Sequence, residues 1–242
     1  MAQILTERLL SSGHIAWVAM SEVADGDMSI GNYQARQKSI HEASASLRRS
    51  NREVFVPPSH NWSFLNQVHG IEVIEDSGDH IAEGTSGDAI VTTLEKRVIT
   101  VQVADCVPIA LISENGAIGV VHAGWRGLLG GVLEETSTKL RATKPGKQMA
   151  VVGPHIGPCC YEFGKKELSL FIDEYGRSAA GLTKGGLNSL DLSSVVERIC
   201  DEKEIEIIKQ SDSCTFCDVK YWSYRSNETE NRQCLFVWIE KK

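Results

Sequence analysis

The chain has 242 residues, 42% hydrophobic and 24% charged, with 25 Lys+Arg against 32 Asp+Glu for a net charge of −7. That balance belongs to a soluble globular chain and excludes a disordered polymer, a fibrous repeat and, for want of clustered basic residues, a nucleic-acid or anionic-membrane binder. Seven cysteines, an odd number that includes the neighbours Cys159 and Cys160, argue against a secreted disulfide framework and for a reducing cytoplasm.

Taken in chain order, the first twenty residues carry Glu7 and lack a basic start and a continuous apolar core, so they do not read as a signal peptide. A strand-like run follows at 14–20, then a helix over 34–49. The dense basic group Arg48, Arg49 and Arg52 reads as the solvated end of that helix. Strand-like runs recur at 54–56, 62–68, 89–92, 98–103, 109–112 and 117–122, each bounded by Gly, Pro, Asn or Asp. The apolar stretch 98–112 is broken by Gln102, Asp105 and Pro108 and is too short and polar to cross a bilayer.

The clearest helix starts near Trp125 and runs to about Ala142, with Leu128, Leu129, Val132, Leu133 and Leu140 on one stripe and Pro145-Gly146 as its stop. Gly130 and Gly131 each cost such a helix on the order of 1 kcal/mol against Ala, so close packing or a ligand must offset them. A strand at 149–152, helices at 165–175 and 193–203, and strands at 204–208 and 234–239 complete the pattern; Ser193 or Ser194 is placed to cap the last helix. No repeat or linker divides the chain, so one domain over 1–242 is expected, of α/β or α+β class with a large mixed sheet.

Three of the strand-like runs end in metal-binding side chains, at His69, Cys106 and His122. Ends of neighbouring strands in one sheet can converge on a single edge, and two His with one Cys suffice for a catalytic zinc site with a fourth position open. Their spacing matches no compact zinc-finger or helix-borne pattern, and a buried Cys or His is as readily part of a core. Asp105 would point to the opposite face from Cys106 unless the strand has already turned. Cys214-Thr-Phe-Cys217 has the spacing of a zinc knuckle, but no second such pair completes it, and it reads as structural. His155, in a loop rich in Gly and Pro, is either a ligand or a turn residue. Arg126 lies where a strand meets a helix start and is placed to hold an anion.

The series Gln67-Val-His69-Gly70, Ala104-Asp-Cys106-Val-Pro108, His122-Ala-Gly-Trp-Arg-Gly127, Gly153-Pro-His-Ile-Gly157, Cys160-Tyr161-Glu162, Leu190-Asp191-Leu192, Cys214-Thr215 and Ser223-Tyr-Arg225 resembles the YfiH, or laccase-domain, family in both order and spacing. Members have been described as multicopper polyphenol oxidases, as purine nucleoside phosphorylases with adenosine deaminase activity and, in one bacterial branch, as peptidoglycan editing factors. The resemblance implies a layered α/β/β/α fold and a metal site of His69, Cys106 and His122, with zinc favoured over copper. It further implies purine nucleosides and phosphate as substrates, with Arg126 and Arg225 as anion or base contacts. One departure is that the first strand, with Val18 to Glu22 in place of the family's Thr-Thr-Arg segment, lacks the expected arginine, which predicts weaker phosphorolysis than deamination. The family's late Gly-Arg is here Asn231-Arg232.

Two other chemistries fit the same residues. Copper-dependent phenol oxidation ranks lower, because a multicopper oxidase needs a trinuclear cluster as well as a blue copper centre, and only seven His are present. A Cys/His hydrolase would use Cys106 as nucleophile and His122 or His69 as base. The residues leave the oligomeric state open.

Overall fold

The computed structural model describes residues 1–31, 33–51, 53–78, 81 and 84–242, so Arg52 of the predicted basic group lies outside the described residues. In chain order the elements are β1 (Gln3–Leu9), β2 (His14–Met20), α1 (Tyr33–Ser50), β3 (Trp62–Ser63), β4 (Val73–Asp76), β5 (Ala89–Thr92), β6 (Val98–Val103), β7 (Val107–Ser113) and β8 (Ala117–Ala123). They continue with α2 (Trp125–Gly130), α3 (Val132–Thr143), β9 (Gln148–Val152), α4 (Lys165–Tyr175), β10 (Ala180–Leu182), β11 (Asn188–Leu190), α5 (Leu192–Glu202), β12 (Ile205–Gln210), α6 (Tyr224–Asn227) and β13 (Gln233–Lys241).

Two large sheets form the centre. One has five strands in the order β1-β2-β13-β6-β3, the other six in the order β12-β9-β7-β8-β5-β4. The period-two alternation of strand side chains explains how they stack. Along β7, Ala110 and Ile112 enter the core between the sheets, whereas Ile109 and Leu111 face the helices on the far side. Along β13, Leu235, Val237 and Ile239 fill the same inter-sheet core, while Phe236 and Trp238 turn outward onto Ile40, Ala43 and Leu47 of α1. Strands covered on both faces must be apolar throughout, which is why these runs read as unbroken. The layers are therefore α1, five strands, six strands, and the group α2 to α5, the α/β/β/α order expected from the resemblance. No helix among the described residues is long and apolar enough to cross a membrane.

Several expected boundaries shift for identifiable reasons. Residues 54–56 pack under α1 through Val54 and Val56 without pairing in a sheet. Of 62–68 only Trp62–Ser63 is strand; the rest is loop apart from a single bridge of Asn66 to Ser86. The last long helix is capped by Asp191, whose Oδ1 accepts the Ser194 N–H at 3.2 Å, rather than by Ser193 or Ser194. Arg48 and Arg49 are exposed in the last turn of α1, where positive charge suits the helix dipole.

The expected single helix over 125–142 is two helices, because Gly131 adopts φ +94° and ends α2 before α3 begins. The two glycines are thus offset by packing and by a break. A side chain at Gly130 would meet Ile71 Cγ2 at 2.8 Å, and Gly131 occupies backbone space that L side chains rarely adopt. Gly131→Ala is expected to lower stability by about 1–2 kcal/mol, read as a drop in the urea midpoint at unchanged slope.

Candidate active site

Strand β6 belongs to the five-stranded sheet and β7 to the six-stranded one, so residues 104–106 carry the chain from one sheet to the other. The strand has already turned at Asp105, which sits at φ +98°. Asp105 holds that conformation with its whole acceptor set. Its Oδ1 accepts the Thr215 hydroxyl at 2.7 Å, its Oδ2 accepts the Arg225 N–H at 2.7 Å, and its carbonyl accepts the Ile156 N–H at 3.0 Å. The bend leaves Cys106 partly exposed at the junction of the sheets.

His122, near the end of β8, is buried. His69 is exposed, in a loop rather than at a strand end, and takes φ +59°. The expected convergence of strand ends within one sheet is thus corrected: the three side chains come from a loop, an inter-sheet crossover and a strand. Their ligating atoms nevertheless lie within 4.8 Å of one another, and the two imidazoles meet edge to face with centroids 4.8 Å apart. Gly124 allows this approach, because a Cβ there would stand 3.0 Å from His69 Cδ2 and 3.2 Å from Cys106 Sγ.

Asp88 organises all of this and was invisible in the sequence reading. Fully buried immediately before β5, it presents Oδ1 to His122 Nδ1 at 2.8 Å and to the His69 N–H at 2.9 Å; Oδ2 accepts the Gly70 N–H at 2.7 Å and the Val68 N–H at 3.3 Å. One carboxylate therefore shapes the His69 turn and fixes the proton of His122 on Nδ1, leaving Nε2 free for Cys106 or a metal. An acid directly before the apolar run Ala-Ile-Val was the only available signal.

Burial disfavours charge on Asp88, but the hydrogen bond from His122 and those from the 69–70 backbone hold its carboxyl below the ordinary range. Burial also opposes a Cys106 thiolate, yet the neighbouring His122 charge and hydrogen bonds from both imidazoles bring the thiol down to about 6. His122 moves the opposite way: burial works against its cation, and the Cys106 thiolate with Asp88 outweighs it and raises the ring to about 9. Thiol and imidazole stabilise each other as an ion pair, so both are prepared to exchange protons for a cation.

The set opens into a cleft of about 540 Å³, within the usual range for small-molecule sites. Arg126, in the first turn of α2, and Arg225, in α6, both line it together with His69, Cys106 and His122. The Arg126 guanidinium lies 4.2 Å over the Trp125 ring; that of Arg225 lies 4.9 Å over the Tyr161 ring and donates to the Glu162 carbonyl at 3.0 Å. Arg232, beside them, is a third cation in the wall.

His155 lies apart from this cleft, buried, with Nδ1 donating to the Gly153 carbonyl at 2.9 Å and Nε2 accepting from the Ser193 hydroxyl at 2.8 Å. Burial keeps its pKa below the ordinary value, so the ring stays neutral in the fold, whereas an unfolded chain takes up the proton near pH 6.5. The stability this supplies is complete above that pH and is lost as pH falls through it. His155→Asn is therefore expected to show a smaller fall in melting temperature than the wild type between pH 7.5 and 5.5, measured by scanning calorimetry. Cys214 and Cys217, expected as plain structural thiols, are not core residues: they are half-buried and exposed, and they lie against Cys159 and Cys160.

Comparison with known proteins identifies relatives of the whole chain. A family model described as multi-copper polyphenol oxidoreductase laccase matches residues 22–240. A protein named purine nucleoside phosphorylase YfiH from Shigella flexneri is 33% identical over 179 residues, covering 73% of each chain. A purine nucleoside phosphorylase from Xylella fastidiosa is 33% identical over 195 residues, covering 76% of this chain and 74% of its own. Among solved structures, the hypothetical protein YfiH of Bacillus licheniformis superposes with a TM-score of 0.79 at 18% identity, over 96% of this chain and 98% of that one. YlmD from Geobacillus stearothermophilus gives 0.71 at 22% identity, over 94% and 92%. These two likenesses concern the fold.

Proposed function

The chain belongs to the multi-copper polyphenol oxidoreductase laccase family, and from that premise we propose that it is a zinc-dependent purine nucleoside phosphorylase that also deaminates adenosine. The observation that carries the reading is the convergence of His69, Cys106 and His122, braced by Asp88, in a cleft walled by arginines and aromatic rings. The names of its relatives support the substrate class.

The donor set suits zinc. Zn–N and Zn–S bonds of about 2.0–2.3 Å put the ligands of a tetrahedral ion roughly 3.3–3.8 Å apart, so atoms already within 4.8 Å need only a small closure. Three protein ligands leave one position open. When bound, zinc supplies Lewis acidity and acidifies water toward neutral pH, the chemistry needed to displace the 6-amino group of adenosine as ammonia.

The remaining work falls to the chain's own side chains. Asp88 keeps the His122 ring oriented and its Nδ1 protonated. Trp125, Tyr161 and Tyr224 offer ring faces on which a purine can stack, a contact every base can make. Burial holds the Tyr161 phenol well above its usual range, so it remains a neutral hydrogen-bond donor at the cleft wall. Arg126, Arg225 and Arg232 supply fixed positive charge for a phosphate. In phosphorolysis a phosphate oxygen bonds to C1′ as the C1′–N9 bond breaks; the pair of electrons leaves with the purine, which takes up a proton, and ribose 1-phosphate forms. With the expected arginine absent from Val18 to Glu22, deamination is expected to outpace phosphorolysis.

Zinc-loaded protein incubated with phosphate and adenosine, inosine or S-methyl-5′-thioadenosine should release the free base and the pentose 1-phosphate, and inosine from adenosine. His69→Ala should lose these activities. No product, or rates indifferent to His69→Ala, overturns the reading. A His2Cys set can also take copper. Among the described residues, however, the other close group of three or more metal-binding side chains is all cysteine, which does not make a trinuclear oxidase centre. Absence of an intense thiolate-to-copper band and of oxygen uptake after copper loading would dispose of phenol oxidation.

A further inference from the structure

Away from the cleft, we propose that Cys159, Cys160, Cys214 and Cys217 form a second, structural zinc site that pins together the two loops flanking the active site. The four thiols come from two loops far apart in sequence, yet their sulfurs lie within 4.8 Å of one another. Cys159 and Cys160 are separated by 3.5 Å at Sγ, Cys160 and Cys217 by 3.4 Å, and Cys159 and Cys217 by 4.0 Å. A zinc ion with four Zn–S bonds of about 2.3 Å has tetrahedral edges of about 3.8 Å, which those separations bracket. They are far beyond the roughly 2.05 Å of a disulfide. A group this tight encloses one ion, whereas the thiolates of a four-iron cluster each bind a different iron.

The surroundings match a tetrathiolate as well. One zinc with four thiolates carries a net double negative charge, and it is stabilised by donors aimed at sulfur. Lys184 Nζ lies 3.2 Å from Cys217 Sγ, and the Gly157 N–H donates to Cys214 Sγ at 3.2 Å. The backbone is already wound for chelation: the Cys217 and Asp218 N–H groups both donate to the Cys214 carbonyl, at 3.0 and 2.9 Å, and the Cys160 N–H donates to the Gly157 carbonyl at 3.1 Å. With four protein ligands no position stays open for substrate, so the role is structural.

The placement says what it would hold. A single β-bridge joins His155 to Cys214, with the Thr215 N–H donating to the His155 carbonyl at 3.0 Å. Thr215, inside the Cys214-x-x-Cys217 turn, donates its hydroxyl to Asp105, the residue whose bend presents Cys106. Tyr161, directly after Cys160, is a wall of the cleft. A zinc here would thus fix both loops against the crossover, independently of which reaction the cleft performs.

The test uses full-length Cys106→Ala protein, purified without chelator, to remove the other candidate site. Elemental analysis is expected to find about one zinc per chain, and X-ray absorption about four sulfurs at about 2.3 Å. Cobalt exchanged into this background should show intense thiolate-to-metal absorption, and adding Cys160→Ser or Cys217→Ser should lower the metal content and that band. Cys106→Ala protein that holds no metal, holds iron, shows a nitrogen and oxygen shell, or contains disulfides among the four cysteines by mass spectrometry overturns the proposal.

Discussion

Replacing Cys106 with alanine is expected to lower kcat/KM for purine nucleosides by about a thousandfold or more, equivalent to about 4 kcal/mol of transition-state stabilisation, while the fold survives. Cys106 is the anionic member of the set, so its loss leaves two neutral imidazoles that bind zinc weakly. The structural cost is small. Cys106 is only partly buried, and its backbone is fixed by Asp105 through Thr215, Arg225 and Ile156 rather than by its own sulfur. Parallel measurement of turnover, zinc content and the thermal melt separates the roles: an unchanged melt with one zinc fewer per chain than the wild type and lost turnover is the expected pattern. Retained turnover would remove Cys106 from the mechanism.

Asp88→Asn is expected to weaken metal binding by about 10–100-fold and stability by about 2–4 kcal/mol. The amide preserves shape but turns one acceptor oxygen into a donor. That donor must then face either the His122 and His69 side of the site or the Val68 and Gly70 N–H groups. Because the native carboxyl is held below its ordinary range, its contribution is present above about pH 4 and lost as pH falls through the lower folded value. The variant should therefore lose stability at pH 7 yet show a shallower acid limb, read by urea titration at pH 7 and pH 3.5. Equal losses at both values would mean that the charge of Asp88 contributes nothing.

How far the sequence was legible follows from where each residue's partners lie. Strands β6, β7 and β8 were readable because both faces are covered, every residue is buried and most of them are apolar. Strand β1 was not: Thr6, Glu7 and Arg8 lie on an edge strand paired only to β2, so no apolar alternation marks them. The helix break at Gly131 was half visible, as a cost without a geometry. For the site, the residue types at 69, 106 and 122 admitted a metal, and the family resemblance selected it. Asp88 escaped because it is one of 32 acids and three of its four partners are backbone N–H groups, which a sequence does not label. The cysteine group escaped because each loop supplies two of the four thiols, and the pairs, more than fifty residues apart in sequence, are brought together only by tertiary contacts such as the bridge between His155 and Cys214.

The passage of the chain from one sheet to the other through residues 104–106 makes the site a gauge of how the two sheets sit on each other. Cys106 is tethered to the five-stranded sheet through β6 and to the six-stranded sheet through β7, with no slack between. Protein interiors are close-packed and transmit strain. A methyl group added or removed between the sheets, at Val101 or Ala110 for instance, would shift the sulfur against two imidazoles that ride on the other anchor points. Substitutions that never touch the cleft can thus retune its reactivity, and the inter-sheet core constrains chemistry as well as stability.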